Sequence, residues 1–248
     1  MYFINLLYFF LGLIIGSFIN VVIYRLPKNE SIIKPRSHCP KCKKIIPIYR
    51  NIPIISYLLQ KGKCSNCKKH ISLVYPIIEF IIGIIWLLSS FYFDSTYEIT
   101  YFAIIATILI AISVIDYKYF IIPLELSIIS LLFIIIHLVI KGLFLSNLFG
   151  LIVGTGYLSL IFLLTWLITK KQCLGLGDIQ LVLFLGLWFG DIRILLVIFF
   201  AALSALLFWV ATSYKNKNFK NRPLPFGSFL SIISIIFYLI QFNLINLF

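Results

Sequence analysis

Seven stretches of this chain are too apolar, for too long, to fold in water. They run over residues 2–24, 75–93, 99–115, 120–140, 147–168, 179–211 and 227–247. The hydrocarbon core of a bilayer is ~30 Å thick, so a helix needs about 20 apolar residues to cross it. Lipid offers no partner for a backbone N–H or C=O, so such segments satisfy their own hydrogen bonds as helices. The run 179–211 has 33 residues. At ~1.5 Å per residue it is too long for one crossing. Gly190, Asp191 and Arg193 interrupt it, and splitting it there gives eight spans. The fold class expected is an all-α polytopic membrane protein. Composition agrees: 62% of residues are hydrophobic and 12% charged, where a soluble domain carries about 25% charged. Mean hydropathy is +1.08.

The first run lacks a charged leader and exceeds the ~7–15 apolar residues of a signal peptide core, so it reads as a retained span.

The net charge of +13 is confined to short islands between the apolar runs. That distribution speaks for membrane topology and against a nucleic-acid partner. Residues 25–70 hold twelve Lys and Arg. If this island is cytoplasmic, inside loops hold nineteen basic residues and outside loops only Lys141 and Arg193. Both termini then lie outside. Merging the sixth and seventh spans would move the basic stretch 215–222 outside, which supports the split.

The same island carries Cys39-Pro-Lys-Cys42 and Cys64-Ser-Asn-Cys67, separated by 21 residues. Two CxxC pairs can set four thiolates tetrahedrally around one Zn²⁺. Lys41, Lys43, Lys63, Lys68 and Lys69 flank them and favour the thiolate. A pair of disulfides is the alternative, but the topology places this loop in a reducing compartment. Four protein ligands leave no open position for water, so the metal would be structural. His38 and His70 adjoin the knuckles as bystanders. Cys173 and His137 read as packing residues. Three domains are expected: a first span over 1–24, a zinc-binding loop over 25–74, and a membrane core over 75–248.

Carboxylates within spans are costly and tend to be functional. Asp191 beside Arg193 reads as a solvated pair, and Glu125 as an interfacial residue. Asp116 ends the third span and Asp178 begins the sixth. They are 62 positions apart yet at one depth, on the cytoplasmic side. Two close carboxylates do not both ionise easily; one keeps a proton while the other stays charged. The charged one can deprotonate a water and the protonated one can polarise a peptide carbonyl. Gly175 and Gly177 would let a substrate backbone approach Asp178. Each aspartate could equally serve its own helix as a cap or dipole partner, and on chemistry alone both readings stand.

Gly175-Leu-Gly177-Asp178 resembles the GxGD motif of intramembrane aspartyl proteases. Further segments resemble the bacterial prepilin peptidases in the family's order. These are Gly16-Ser-Phe-Ile-Asn-Val-Val-Ile-Tyr-Arg-Leu-Pro27, the paired CxxC loop and Tyr75-Pro-Ile-Ile-Glu79. Ile115-Asp116 with Ile122-Pro123, and Pro225-Phe-Gly-Ser-Phe229, follow. Two positions depart: Leu124 follows Ile122-Pro123 where Asp is usual, and Gln180 stands where Lys is common.

The resemblance implies a bacterial cytoplasmic-membrane enzyme that removes the basic leader of type IV prepilins or pseudopilins. It implies Asp116 and Asp178 as catalytic residues. It also implies N-methylation of the new N-terminus with S-adenosylmethionine, with Glu79 a candidate for recognising the amine. The competing readings are an ion-moving transporter and a non-catalytic pilus or secretion assembly component. No inverted repeat is evident for the first, and both aspartates are retained against the second.

Overall fold

The computed structural model describes residues 2–171, 174–215 and 223–245. Cys173, Lys217, Lys220 and Arg222 lie outside the described residues.

Eight apolar helices follow the eight spans expected. They are α1 (Tyr2–Arg25), α3 (Val74–Tyr92), α4 (Thr96–Tyr119), α5 (Leu124–Lys141), α6 (Phe144–Thr169), α7 (Leu176–Phe189), α8 (Arg193–Lys215) and α9 (Phe226–Ile245). A short α2 (Ile55–Leu59) lies in the basic loop. Among the described residues six of the eight are long and apolar enough to cross a bilayer, while α7 and the Phe226–Ile240 part of α9 are shorter apolar segments. The chain is a multi-pass membrane protein.

The split of 179–211 falls where its chemistry demands. Gly190 ends α7 with φ +77°, a left-handed conformation that suits glycine. Asp191 then opens α8, its carboxylate accepting the Arg193 N–H at 2.8 Å and pairing with the Arg193 guanidinium at 2.5 Å. This is the solvated pair read from the sequence. Glu125 is exposed in the first turn of α5, also as read.

The chain forms two compact units, Met1–Thr107 and Ile108–Phe248. In the first, α1 packs along α3. A Cβ at Gly12 would lie 2.9 Å from the Gly83 Cα, and one at Gly16 would lie 2.8 Å from the Glu79 Cα. Membrane helices lack a hydrophobic drive to associate, so close backbone contact through small residues carries the packing. In the second unit Gly150 on α6 meets Gly186 on α7 in the same way, each leaving no room for a side chain. This contact holds the helix whose first turn carries Asp178.

The basic loop is tied to the end of α1 by Arg25. Its buried guanidinium donates to the carbonyls of Ser31 at 2.9 Å and Pro35 at 2.7 Å.

Candidate active site and metal centre

Asp116 lies in the last turn of α4, where its backbone carbonyl accepts the Phe120 N–H at 2.8 Å. Its carboxylate is buried and is held from α9. Oδ2 accepts the backbone N–H of Ser228 at 2.7 Å and faces the Ser228 hydroxyl at 2.9 Å. That hydroxyl also lies 2.8 Å from the Ser113 carbonyl; its single proton can serve only one acceptor at a time. Ser228 occupies the first turn of α9, where backbone N–H groups lack intrahelical partners and suit an anion. Gly227 precedes it, and a Cβ there would sit 3.2 Å from Asp116 Oδ2.

Asp178 is the third residue of α7. Its N–H donates to the Gly175 carbonyl at 3.1 Å, and its Oδ2 accepts the Gly175 N–H at 3.2 Å. One carboxylate oxygen therefore serves the helix start, as the capping reading anticipated. The side chain is buried, and the Asp116 carboxylate is near enough to act on it electrostatically. The fold thus brings together two aspartates 62 positions apart. Ile122 fills the space between their supports: a Cβ at Gly177 would meet it at 3.2 Å and one at Gly227 at 2.8 Å. Gly177 therefore has a packing reason of its own, while a Cβ at Gly175 would sit 3.1 Å from Asp178 Oδ2.

Ser228, Gly227 and Ile122 were not singled out as individual residues by the sequence. Their only signal was membership of the segments Pro225-Phe-Gly-Ser-Phe229 and Ile122-Pro123. Nothing in the spacing tells that the first of these reaches back 112 positions to Asp116.

Glu79 lies in the first unit, buried on α3. Its Oε2 accepts the Ile54 N–H at 2.8 Å, with the Ser17 and Asn20 side chains of α1 nearby; the Asn20 amide donates to the Tyr75 carbonyl at 3.0 Å. Ile54 has φ +58° and ψ −52°, with the Ile55 N–H on the Pro53 carbonyl at 2.5 Å. This is the rare γ-turn with positive φ, on a β-branched residue. Such a conformation costs about 1–3 kcal/mol and persists only where its surroundings enforce it; the Glu79 carboxylate is one such support.

The four cysteines form two matching knuckles. In the first, the Cys39 N–H donates to the Lys44 carbonyl at 3.0 Å and Lys43 follows with φ +59°. In the second, the Cys64 N–H donates to the Lys69 carbonyl at 2.9 Å and Lys68 follows with φ +58°. All four sulfurs lie within 4.8 Å of one another, an arrangement that could hold a metal ion. Cys39 and Cys67 approach to 3.9 Å, far beyond the ~2.05 Å of a disulfide. Asn66 joins the knuckles, accepting from Lys44 Nζ at 3.1 Å and donating to Cys42 Sγ at 3.6 Å.

The backbone N–H of Lys44, helped by the Asn66 amide, lowers the Cys42 thiol to about 6. Backbone donation by Cys67 and Asn66 lowers Cys64. At Cys67 the Lys69 N–H pulls downward, but burial and the neighbouring sulfurs outweigh it and raise the thiol to about 11. Four sulfurs this close cannot all be thiolates without a cation among them. His38 turns to the Arg36 carbonyl at 3.1 Å. Neither His38 nor His70 joins the cluster.

Paired buried carboxylates at helix ends in a multi-pass membrane chain fit the class of membrane-embedded aspartic peptidases. The comparisons name it further. Residues 10–93 match the bacterial peptidase A24 N-terminal domain and residues 103–210 the type IV leader peptidase family. The chain belongs to the type IV leader peptidase family. A Myxococcus xanthus protein described as a prepilin leader peptidase/N-methyltransferase is 34% identical over 87% of this chain and 67% of its own length. Proteins of the same description from Pseudomonas aeruginosa and Bacillus subtilis are 32% and 31% identical. Those matches cover 90% and 96% of this chain, and 85% and 95% of the relatives. No solved structure matches the chain.

Proposed function

We propose that this chain removes the basic leader of type IV prepilins or pseudopilins, with Asp116 and Asp178 as its catalytic pair. The observation that carries the reading is the meeting of these two buried carboxylates, each oriented by a different helix start. Ser228 holds one oxygen of Asp116 and the Gly175 N–H holds one oxygen of Asp178, leaving each carboxylate a second oxygen for chemistry. The pair shares a proton and titrates as a unit. Its ionised member takes a proton from water, and its protonated member donates to the scissile carbonyl. The amide is hydrolysed without a covalent intermediate. Gly175 leaves Asp178 open to a substrate backbone, with Gly177 beside it. The test is leader cleavage of a reconstituted prepilin by the full chain and by Asp116→Asn and Asp178→Asn.

The charge distribution supports a bacterial cytoplasmic membrane location with both termini outside and the cysteine loop inside. In that compartment Cys39, Cys42, Cys64 and Cys67 hold one structural Zn²⁺. The donor set fits: four sulfurs all within 4.8 Å of one another, two with lowered thiol pKa. The relatives' second activity, N-methylation, extends to this chain in the same reading, with S-adenosylmethionine as donor. That molecule supplies an electrophilic methyl group on a positively charged sulfur. Glu79 is the residue proposed to recognise an amine.

A further inference from the structure

The short helix α2 presents its apolar face outward. Ile55, Leu58 and Leu59 stand at i, i+3 and i+4, so they share one face. A helix surrounded by water would press that face onto its own protein. Here the three side chains are 52%, 66% and 79% exposed, and Ser56 is the residue that is buried. The Ser56 hydroxyl accepts the Ile52 N–H at 2.9 Å, and the Gln60 amide donates to the Arg50 carbonyl at 3.3 Å. These bonds tie α2 to the turn Ile48–Arg50. Ile48, Tyr49 and Ile52 are exposed as well. A concentration of open apolar side chains of this kind marks a protein-binding or membrane-binding surface.

Depth decides between the two. The helix α3 has 19 residues, which is ~28 Å at ~1.5 Å per residue. That is barely the ~30 Å of the hydrocarbon core, so crossing takes the whole helix and Val74 lies at the membrane boundary. Glu79 lies five residues further along α3, ~7.5 Å deeper. It accepts the Ile54 N–H at 2.8 Å. The residue immediately before α2 is therefore fastened below the level at which α3 enters the membrane. Charge then selects the lipid. Residues 25–73 carry twelve Lys and Arg against one acid, Glu30. Arg50, Lys61 and Lys63 are exposed among or beside the apolar positions. Long basic side chains lay their stems on apolar surface and carry the charge to the headgroups.

We propose that residues 48–63 form a membrane-docking face. Ile52, Ile55, Leu58 and Leu59 enter the upper acyl chains of the adjoining leaflet, as an interfacial amphipathic helix does. Arg50, Lys61 and Lys63 meet anionic headgroups. The cysteine loop then rests on the bilayer at a fixed height. This holds whether or not the chain is a leader peptidase.

The experiment uses the full chain in nanodiscs of phosphatidylcholine mixed with phosphatidylglycerol. A diazirine amino acid replaces Leu59, or Lys41 as a control on the exposed first knuckle. After illumination the adducts are read by mass spectrometry. Lipid adducts should dominate at position 59 and water adducts at position 41. Among the lipid adducts at 59, phosphatidylglycerol should exceed its share of the disc. Water adducts at 59 would overturn the docking. So would crosslinks from 59 to another part of the chain or to a second copy, or lipid adducts in equal proportion at both positions. Lipid adducts without enrichment of phosphatidylglycerol would support the apolar docking and overturn the role of the three cations. Position 59 is open, so the replacement should leave the melting temperature unchanged. Should it not, hydroxyl-radical footprinting of the wild-type chain in the same discs decides. Leu58 and Leu59 oxidised several-fold less than in a free peptide of residues 48–63 supports the face, and equal oxidation overturns it.

Discussion

Asp116→Asn and Asp178→Asn preserve shape and one hydrogen-bond acceptor, so each variant is expected to fold in the membrane. Neither amide can act as a base or share a proton. General acid–base catalysis contributes about 10²–10⁴-fold, so leader cleavage should fall by at least that much on a gel assay. Glu125→Gln and Asp191→Asn are the controls, because Glu125 is exposed and Asp191 serves the start of α8. A wild-type rate in either variant at 116 or 178 would remove the pair from the mechanism. Ser228→Ala tests orientation. It deletes the hydroxyl at 2.9 Å from Asp116 Oδ2 and leaves the backbone N–H at 2.7 Å. A hydrogen bond to a charged group is worth about 1.5–3 kcal/mol, so kcat should drop roughly tenfold or more with KM little changed. A fall expressed in KM alone would point to substrate contact. The sequence led to the expectation that Asp116 and Asp178 share a depth. It could not show that Ser228, 112 positions away, holds one of them, because that contact exists only after α9 docks on α4.

At the scale of elements, the cysteine knuckles were legible nearly whole. Ligand type and spacing are local properties, and each knuckle closes on itself within six residues through Cys39–Lys44 or Cys64–Lys69. Metal uptake should follow the sulfur protonation states. At pH 7 Cys42, at about 6, is a thiolate, whereas Cys67, at about 11, keeps its proton. Zn²⁺ binding to chelator-stripped protein should therefore release at least one proton at pH 7. Below about pH 6 Cys42 takes up a proton too, so release should rise and affinity fall. Calorimetry in two buffers of different ionisation enthalpy measures this, and a buffer-independent signal at pH 7 would contradict a four-thiolate site. The helix contacts were less legible. The glycine pairs Gly12–Gly83 and Gly150–Gly186 become meaningful only when two helices are laid side by side. A side chain at Gly150 would strike the backbone around Gly190, which cannot swing away. Gly150→Leu should lower stability by at least the ~1–3 kcal/mol of an overpacked core, seen as a lower melting temperature in detergent. An unchanged melt would mean the α6–α7 contact is not tight.

For the whole molecule, orientation follows from charge alone. Residues 25–70 and position 215 should be accessible from the cytoplasm, and both termini from outside. Cysteine-accessibility labelling on a background without native thiols measures it; position 215 labelled from outside would reject the eight-span arrangement. What the sequence by itself determined was the class, the number of the apolar helices, the break at Gly190 and the sulfur cluster. Each depends on neighbours within a few residues or on the length of an apolar run, and lipid turns such runs into helices whatever they pack against. The helix limits moved by up to four residues, α4 running on to Tyr119 and α5 starting at Leu124 where spans 99–115 and 120–140 were expected. Only tertiary structure decided which residues hold the two aspartates. It also decided that Glu79 is shared between α1 and the turn at Ile54, and that α2 keeps its apolar face exposed. These depend on which helix faces meet. In a chain where nearly every face is apolar, hydrophobic pattern carries little information about partners, and small residues and buried polar groups carry most of it.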